Sequence, residues 1–271
     1  MRKVFIPLLL LVGLSLHVVA QQSKDVMKEP IPLAMFQVTY AFQIPGFDTK
    51  VDYGVNHTIG GSFIYKTESN WLFTANANFL FGGKIKDDRV TFFGEGITTE
   101  YGEITGGGGD YTMFSISERG FHLQLEAGKL FPLGPNPNSG IFVQAGLGYL
   151  RSRADIEFDQ DMYSTPYVVY KDYEYGYDRM RGGPAFHVEA GYLYLGNTRM
   201  LNFSVSLEAT FVRSRHLREY DFRVFTNPET GIMEPVGYND MNKRFNDFYY
   251  GIRLSWNIPT YQRQPDAYYY N

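Results

Sequence analysis

The sequence predicts an all-β protein, an eight-stranded antiparallel transmembrane β-barrel with long extracellular loops. Three observations carry this reading. The last strand, residues 248–258, puts Phe248, Tyr250, Ile252, Leu254, Trp256 and Ile258 on one face and Tyr249, Gly251, Arg253, Ser255 and Asn257 on the other, because successive side chains of a strand alternate. An apolar face backed by an arginine, an amide and a hydroxyl suits a small barrel that is greasy outside and wet inside, and about eleven residues is the length of a tilted bilayer-crossing strand. Beyond the N-terminus no segment has the roughly eighteen uninterrupted apolar residues of a membrane helix, which leaves strands as the only crossing structure that satisfies every backbone group in lipid. Aromatics make up 17 % of the chain, 22 Tyr and 22 Phe against 2 Trp, as expected for the girdles at barrel edges. A soluble sandwich or lipocalin-like barrel is the alternative, and it would turn these apolar faces inward.

The N-terminus comes first in chain order. Residues 1–20 carry Arg2 and Lys3, then an apolar run of about a dozen residues from Val4 to Leu16, then Val18-Val19-Ala20. This pattern predicts a cleaved secretory signal. Residues 21–33, broken by Pro30 and Pro32, read as a periplasmic lead-in, residues 34–259 as the barrel and residues 260–271 as a periplasmic tail. The first strand sets Phe36, Val38, Tyr40 and Phe42 against Gln37, Thr39, Ala41 and Gln43, and a moderate loop over 44–56 follows. The second strand turns Ile59, Gly61, Phe63 and Tyr65 outward, and Thr67-Glu68-Ser69-Asn70 makes a tight turn into the third, with Trp71, Phe73, Ala75, Ala77, Phe79 and Phe81 outward.

A polar, glycine-rich excursion covers 84–118. The fourth strand then alternates Phe121, Leu123, Leu125 and Ala127 with His122, Gln124 and Glu126, and the proline-rich stretch 132–140 ends it. The fifth strand offers Ile141, Val143, Ala145, Leu147 and Tyr149. After the excursion 151–184, the sixth alternates Phe186, Val188, Ala190, Tyr192 and Tyr194 with His187 and Glu189. Around 196–199 the chain turns into the seventh, Phe203, Val205, Leu207, Ala209 and Phe211 against Ser204, Ser206, Glu208 and Thr210. A third excursion, 213–247, precedes the last strand. Short turns alternate with longer connections, and an even strand count returns both termini to the periplasm, the asymmetry of an outer-membrane barrel. Hairpins over 89–100 and 219–238 extend the strands outside the membrane or make ten crossings.

This alternation and loop rhythm resembles the OmpA/OmpX-like superfamily of small outer-membrane barrels. The signal ending Val18-Val19-Ala20 before Gln21-Gln22 is similar to Bacteroidota members of the PorT-like type. The resemblance implies a Gram-negative outer-membrane location and a closed barrel whose bore holds only side chains. Members usually close their last strand with a terminal aromatic residue; here 260–271 follow it instead.

Candidate chemistry gathers on the inward face. His122, Glu126, His187, Glu189, Glu208 and Arg253 are expected to pair with one another, because unpaired charges are costly in a low-dielectric interior. They read as a structural plug, with Arg253 against Glu189 or Glu208 at its centre, or as a proton or metal site. Tyr163, Tyr167, Tyr170, Tyr173, Tyr175 and Tyr177 form a candidate partner-binding loop, since tyrosines give amphipathic contact area at little entropic cost. Arg213, Arg215, His216 and Arg218 form a candidate rim for lipopolysaccharide phosphates. Asp155, Glu157, Asp159 and Asp161 read as an ion site or a solvated hairpin edge, and Gly106 to Gly109 as a flexible loop.

Rim hydrolysis would need a nucleophile or activated water beside a His and a carboxylate. Ser214 with His216, and His57 with Thr58 and Asp52, are the only such groupings, and the expectation is no enzyme, no cofactor and no resident metal. The chain lacks cysteine, so it has neither a disulfide framework nor a lipidated cysteine. A net charge of −4, mixed along the chain, gives no footprint for nucleic acid. The expected role is structural or partner-docking through the extracellular loops, accessory to a secretion or surface-assembly complex and in contact with lipid and lipopolysaccharide. The alternatives are a narrow solute or proton channel and a loop-borne lipid A or peptide hydrolase.

Overall fold

The computed structural model describes residues 26–86, 92–94, 98–99, 101, 103–105, 111–112, 114–158, 176–197, 201–218, 224–235 and 240–260. Its elements are β1 (Leu33–Gly46), α1 (Phe47–Asp52), β2 (Asn56–Lys66), β3 (Trp71–Lys84), β4 (Ile104–Thr105), β5 (Tyr111–Thr112), β6 (Phe114–Pro132), β7 (Gly140–Phe158), β8 (Arg181–Tyr194), β9 (Phe203–His216), β10 (Val224–Thr226), β11 (Met233–Pro235) and β12 (Arg244–Pro259).

Eight strands close one barrel in the order β1-β12-β9-β8-β7-β6-β3-β2, every neighbour antiparallel. The first and last strands seal it, from Met35 opposite Pro259 to Gly46 opposite Phe248. The hairpins β4-β5 and β10-β11 are separate two-stranded sheets, so eight strands and not ten cross the membrane.

The apolar faces point out. Leu125 and Leu147 are 71 % and 70 % exposed while Glu126, one residue from Leu125, is 4 % exposed, the reverse of a soluble core. Such a surface is at rest only in lipid. On β6 the lipid-facing stretch runs from Phe121 to Phe131, which at ordinary strand rise and tilt covers about 25 Å of hydrocarbon. Tyr65, Trp71 and Trp256 edge this belt toward the periplasm, with Lys129 over the Trp71 ring at 5.3 Å, and Tyr149 and Tyr250 edge it on the other side.

The strands outrun the belt on the extracellular side. β6 and β7 are each 19 residues long, and β8 begins at Arg181 rather than after Pro184. Pro184 lacks the N–H that a ladder needs, and the β8–β9 pairing skips Gly183 and Pro184 while keeping the same register on both sides. The excursions are therefore shorter than their sequence suggests: β6 starts at Phe114, β7 ends at Phe158, β9 ends at His216 and β12 starts at Arg244. Above the membrane Phe92, Phe93, Ile104, Phe114, Ala154 and Tyr177 form a small apolar core, with the Phe93 ring edge-on to Phe92 and Phe114 and tilted to Tyr177 at centroid distances of 4.8, 5.0 and 5.3 Å.

The segment read as a moderate loop over 44–56 continues β1 to Gly46 and then folds as α1. Phe47 takes a positive φ of 49° at the corner, which turns the helix toward the barrel mouth. The lead-in also has a tertiary role. Val26 and Ile31 pack with Leu33, Met35, Ile64, Leu72, Leu130, Phe142, Leu193 and Leu195 into an apolar cluster at the periplasmic end.

Candidate functional site

The bore is filled by a polar column whose middle layer collects the inward residues of β6, β8, β9 and β12. Gly146 of β7 stands between Glu126 and His187 in register, and its missing side chain leaves the room in which those two meet; a Cβ there would lie 2.6 Å from Glu126 Cγ. His187 Nε2 lies 3.6 Å from Glu126 Oε1 and 3.9 Å from Glu189 Oε2, while its Nδ1 is held by Thr210 Oγ1 at 2.8 Å. Asn76 donates to Glu126 Oε1 at 2.7 Å, and Gln144 and Ser206 donate to the two oxygens of Glu189 at 2.8 and 2.5 Å. Arg253 Nε donates to Glu208 Oε2 at 2.6 Å, and Gln43 donates to the other oxygen at 2.6 Å. His122 meets His187 edge-on at 6.0 Å between ring centroids. All six inward residues picked out by alternation thus fall in one region, and Arg253 pairs with Glu208.

Above it lies a second layer that the sequence reading missed. Arg181 Nη2 donates to Asp52 Oδ2 at 2.6 Å, and its Nη1 stands 3.7 Å from Asp247 Oδ1. Asp247 also accepts from Thr49 Oγ1 at 2.8 Å and from Ser214 Oγ. Below these, Asn56 and Tyr249 donate to Glu118 at 2.9 and 3.0 Å. α1 supplies Thr49 and Asp52 and so lies across the mouth. A parity signal existed: Arg181 shares the odd-numbered inward register of His187 and Glu189, and Asp247 and Tyr249 share that of Arg253. Pro184 and the polar residues around 244–247 concealed it.

Glu118 lies beyond the lipid belt, three residues past Phe121. Burial pushes its carboxyl up from the ordinary 4.5 to about 7, against the pull of the Asn56 and Tyr249 hydrogen bonds. A folded-state value above the unfolded one means that the protonated form favours the fold. This stability is complete below about pH 4 and is lost as pH rises through 7. Glu118→Gln is therefore expected to flatten the pH dependence of urea unfolding between pH 4 and 8 by on the order of 3 kcal/mol; equal slopes in the variant and the parent would count against this account.

The periplasmic end is closed by a third layer built on the proline-rich turn 133–139, whose sequence signalled only a strand end. Asn138 Nδ2 donates to the carbonyls of Val26 and Glu29, both at 2.7 Å, and its Oδ1 accepts from Ile31 N at 3.1 Å and from Lys66 Nζ at 2.8 Å. Lys66 also donates to Ile31 O and Thr67 O at 3.1 and 3.3 Å, so its three N–H groups meet three acceptors.

The remaining candidates separate. Tyr177 is buried against Phe93 in the extracellular core and offers no surface to a partner; Tyr163, Tyr167, Tyr170, Tyr173 and Tyr175 lie outside the described residues. Arg213 and Arg215 face outward. His216, one residue on, points inward against Phe245 at 4.9 Å, and Arg218 pairs with Asp178 at 2.6 Å, so neither belongs to an outer rim. Strand alternation is the reason.

Asp155 pairs with Arg153 at 2.9 Å and stands 3.7 Å from Arg119, and Glu157 stands 3.4 Å from Arg119; Asp159 and Asp161 lie outside the described residues, as do Gly106 to Gly109. Ser214 bonds Asp247 rather than His216. His57 lies on the outer surface beside Tyr40 at 2.7 Å while Thr58 points inward and Asp52 faces Arg181. The rim groupings considered for hydrolysis are not assembled. Residues 1–25 and 261–271 lie outside the described residues.

A closed antiparallel barrel, apolar outside and polar within, is the architecture of an integral outer-membrane β-barrel protein, and this chain is one. No family model matches the chain. No curated protein matches it either. Among solved structures it is similar to Ail, the attachment invasion locus protein of Yersinia pestis, in complex with the heparin analogue sucrose octasulfate (9 % identity, 84 % of this chain and 99 % of that one, TM-score 0.37). It is also similar to the outer membrane protein OprG from Pseudomonas aeruginosa (12 %, 86 % and 99 %, 0.36) and to Neisserial surface protein A (12 %, 82 % and 96 %, 0.33). At these distances the fold rests on the register of the chain's own strands.

Proposed function

We propose that this protein is a non-conducting anchor of the outer membrane that acts through its extracellular extension, docking a partner there as an accessory part of a surface-assembly or secretion complex. The observation that carries this is the bore. Three stacked layers, Asn138 with Lys66, the middle carboxylate and histidine layer, and Arg181 with Asp247, occupy it from end to end, as expected where eight strands close with room only for side chains. Strands of 19 residues, about eight more than the belt needs, lift a packed platform above the lipid. Outward Arg213 and Arg215 on β9, with Arg119, Arg151 and Arg153 on β6 and β7, stand past the last lipid-facing side chains and suit lipopolysaccharide phosphates.

The test has two arms on the full chain. In planar bilayers the protein is expected to show no unitary conductance at neutral pH, and steady channels would return the narrow-channel reading. Extracted from outer membranes in mild detergent, it is expected to carry defined, stoichiometric partner chains; a lone barrel in its micelle would sink the docking role.

A further inference from the structure

We infer that the middle layer of the bore is a divalent-cation site of the zinc class, with His187, Glu126 and Glu189 as ligands. This goes beyond the docking reading and does not depend on it.

The geometry is that of a ligand set. One nitrogen of His187 and one oxygen from each of Glu126 and Glu189 lie within 4.8 Å of one another, all three residues buried. Ligands about 2.0–2.1 Å from a tetrahedral Zn²⁺ stand about 3.4 Å apart, and the observed 3.6 and 3.9 Å from His187 Nε2 to the two carboxylates need only small shifts to reach that. The supporting groups are also in place. Thr210 fixes the imidazole through Nδ1 at 2.8 Å and leaves Nε2 turned to the carboxylates. Asn76 orients Glu126, and Gln144 and Ser206 orient Glu189.

Two further observations point to a ligand. Among the described residues, His187 Nε2, Glu126 Oε2 and His122 Nε2 are buried without a hydrogen-bond partner. Orphaned polar atoms buried together at one place are costly. Among the described residues Arg253 also pairs with Glu208, while no lysine or arginine pairs with Glu126 or Glu189, the two carboxylates turned to His187. One imidazole with two carboxylates suits Zn²⁺, Co²⁺ or Ni²⁺ better than Ca²⁺ or Mg²⁺. The ion would staple β6 to β8 across the gap at Gly146.

The test uses the full-length protein without a histidine tag, refolded into detergent micelles with a twofold excess of Zn²⁺ and passed over a chelating resin. Metal analysis is expected to give one Zn²⁺ per folded chain. The isosteric Glu126→Gln and the variant His187→Gln are expected to retain less than one tenth of that, and the outer-surface variant His57→Gln to retain all of it. Wild-type protein that folds but holds no ion would overturn the site, as would variants that hold as much as the parent. If the variants do not fold, X-ray absorption of the Zn²⁺-loaded wild type decides: a shell with one imidazole and oxygen donors supports the assignment, and an all-oxygen shell overturns it.

Discussion

Replacing Arg253 by methionine is expected to cost the barrel about 3–5 kcal/mol, the largest single effect among the bore residues. The guanidinium is 3 % exposed and donates at 2.6 Å to Glu208, whose other oxygen is held by Gln43. Without it Glu208 would be left buried and without its cationic partner, directly across the strand pair from the Glu189 carboxylate. Urea unfolding in micelles, followed by tryptophan fluorescence, checks this. A single variant within about 1 kcal/mol of the parent would refute it. Arg253→Met with Glu208→Gln is expected to recover most of the loss, because removing both partners of a buried pair leaves no orphaned charge.

Asn138→Ala should release the periplasmic plug. The side chain makes four hydrogen bonds, to Val26 O, Glu29 O, Ile31 N and Lys66 Nζ, and each buried group left unpaired costs about 1–3 kcal/mol. Cleavage by trypsin after Lys28 is expected to speed up at least tenfold while the barrel keeps its folded mobility on gels. An unchanged cleavage rate would mean that the apolar contacts of Val26 and Ile31 hold the segment by themselves.

The two variants differ in what the sequence disclosed about them. Arg253 was legible, because it alternates with Ile252 and Leu254 and an inward arginine in a narrow bore must find a carboxylate. Asn138 was not. It sits in a turn where prolines and glycine announce only a chain reversal, and nothing local says that the turn folds back under the barrel. Arg181 was hidden for a related reason: Pro184 reads as a strand breaker, yet the strand passes through it with two ladder positions left unpaired. α1 was hidden because six residues are too few for a helical period to show.

By itself the sequence determined which face of each strand is apolar and that eight segments are long enough to cross a bilayer, because the period of two and the length of a crossing are local properties of the chain; that eight and not ten strands cross, with the apolar faces outward, was decided by the structure. What it left to the tertiary structure is which inward side chains share a level. That depends on the stagger between strands, a property of barrel closure. Closure brings Glu126 of β6 and His187 of β8 together over Gly146 of β7, seats Asn138 against Lys66, and turns Asp52 from a loop residue into the partner of Arg181.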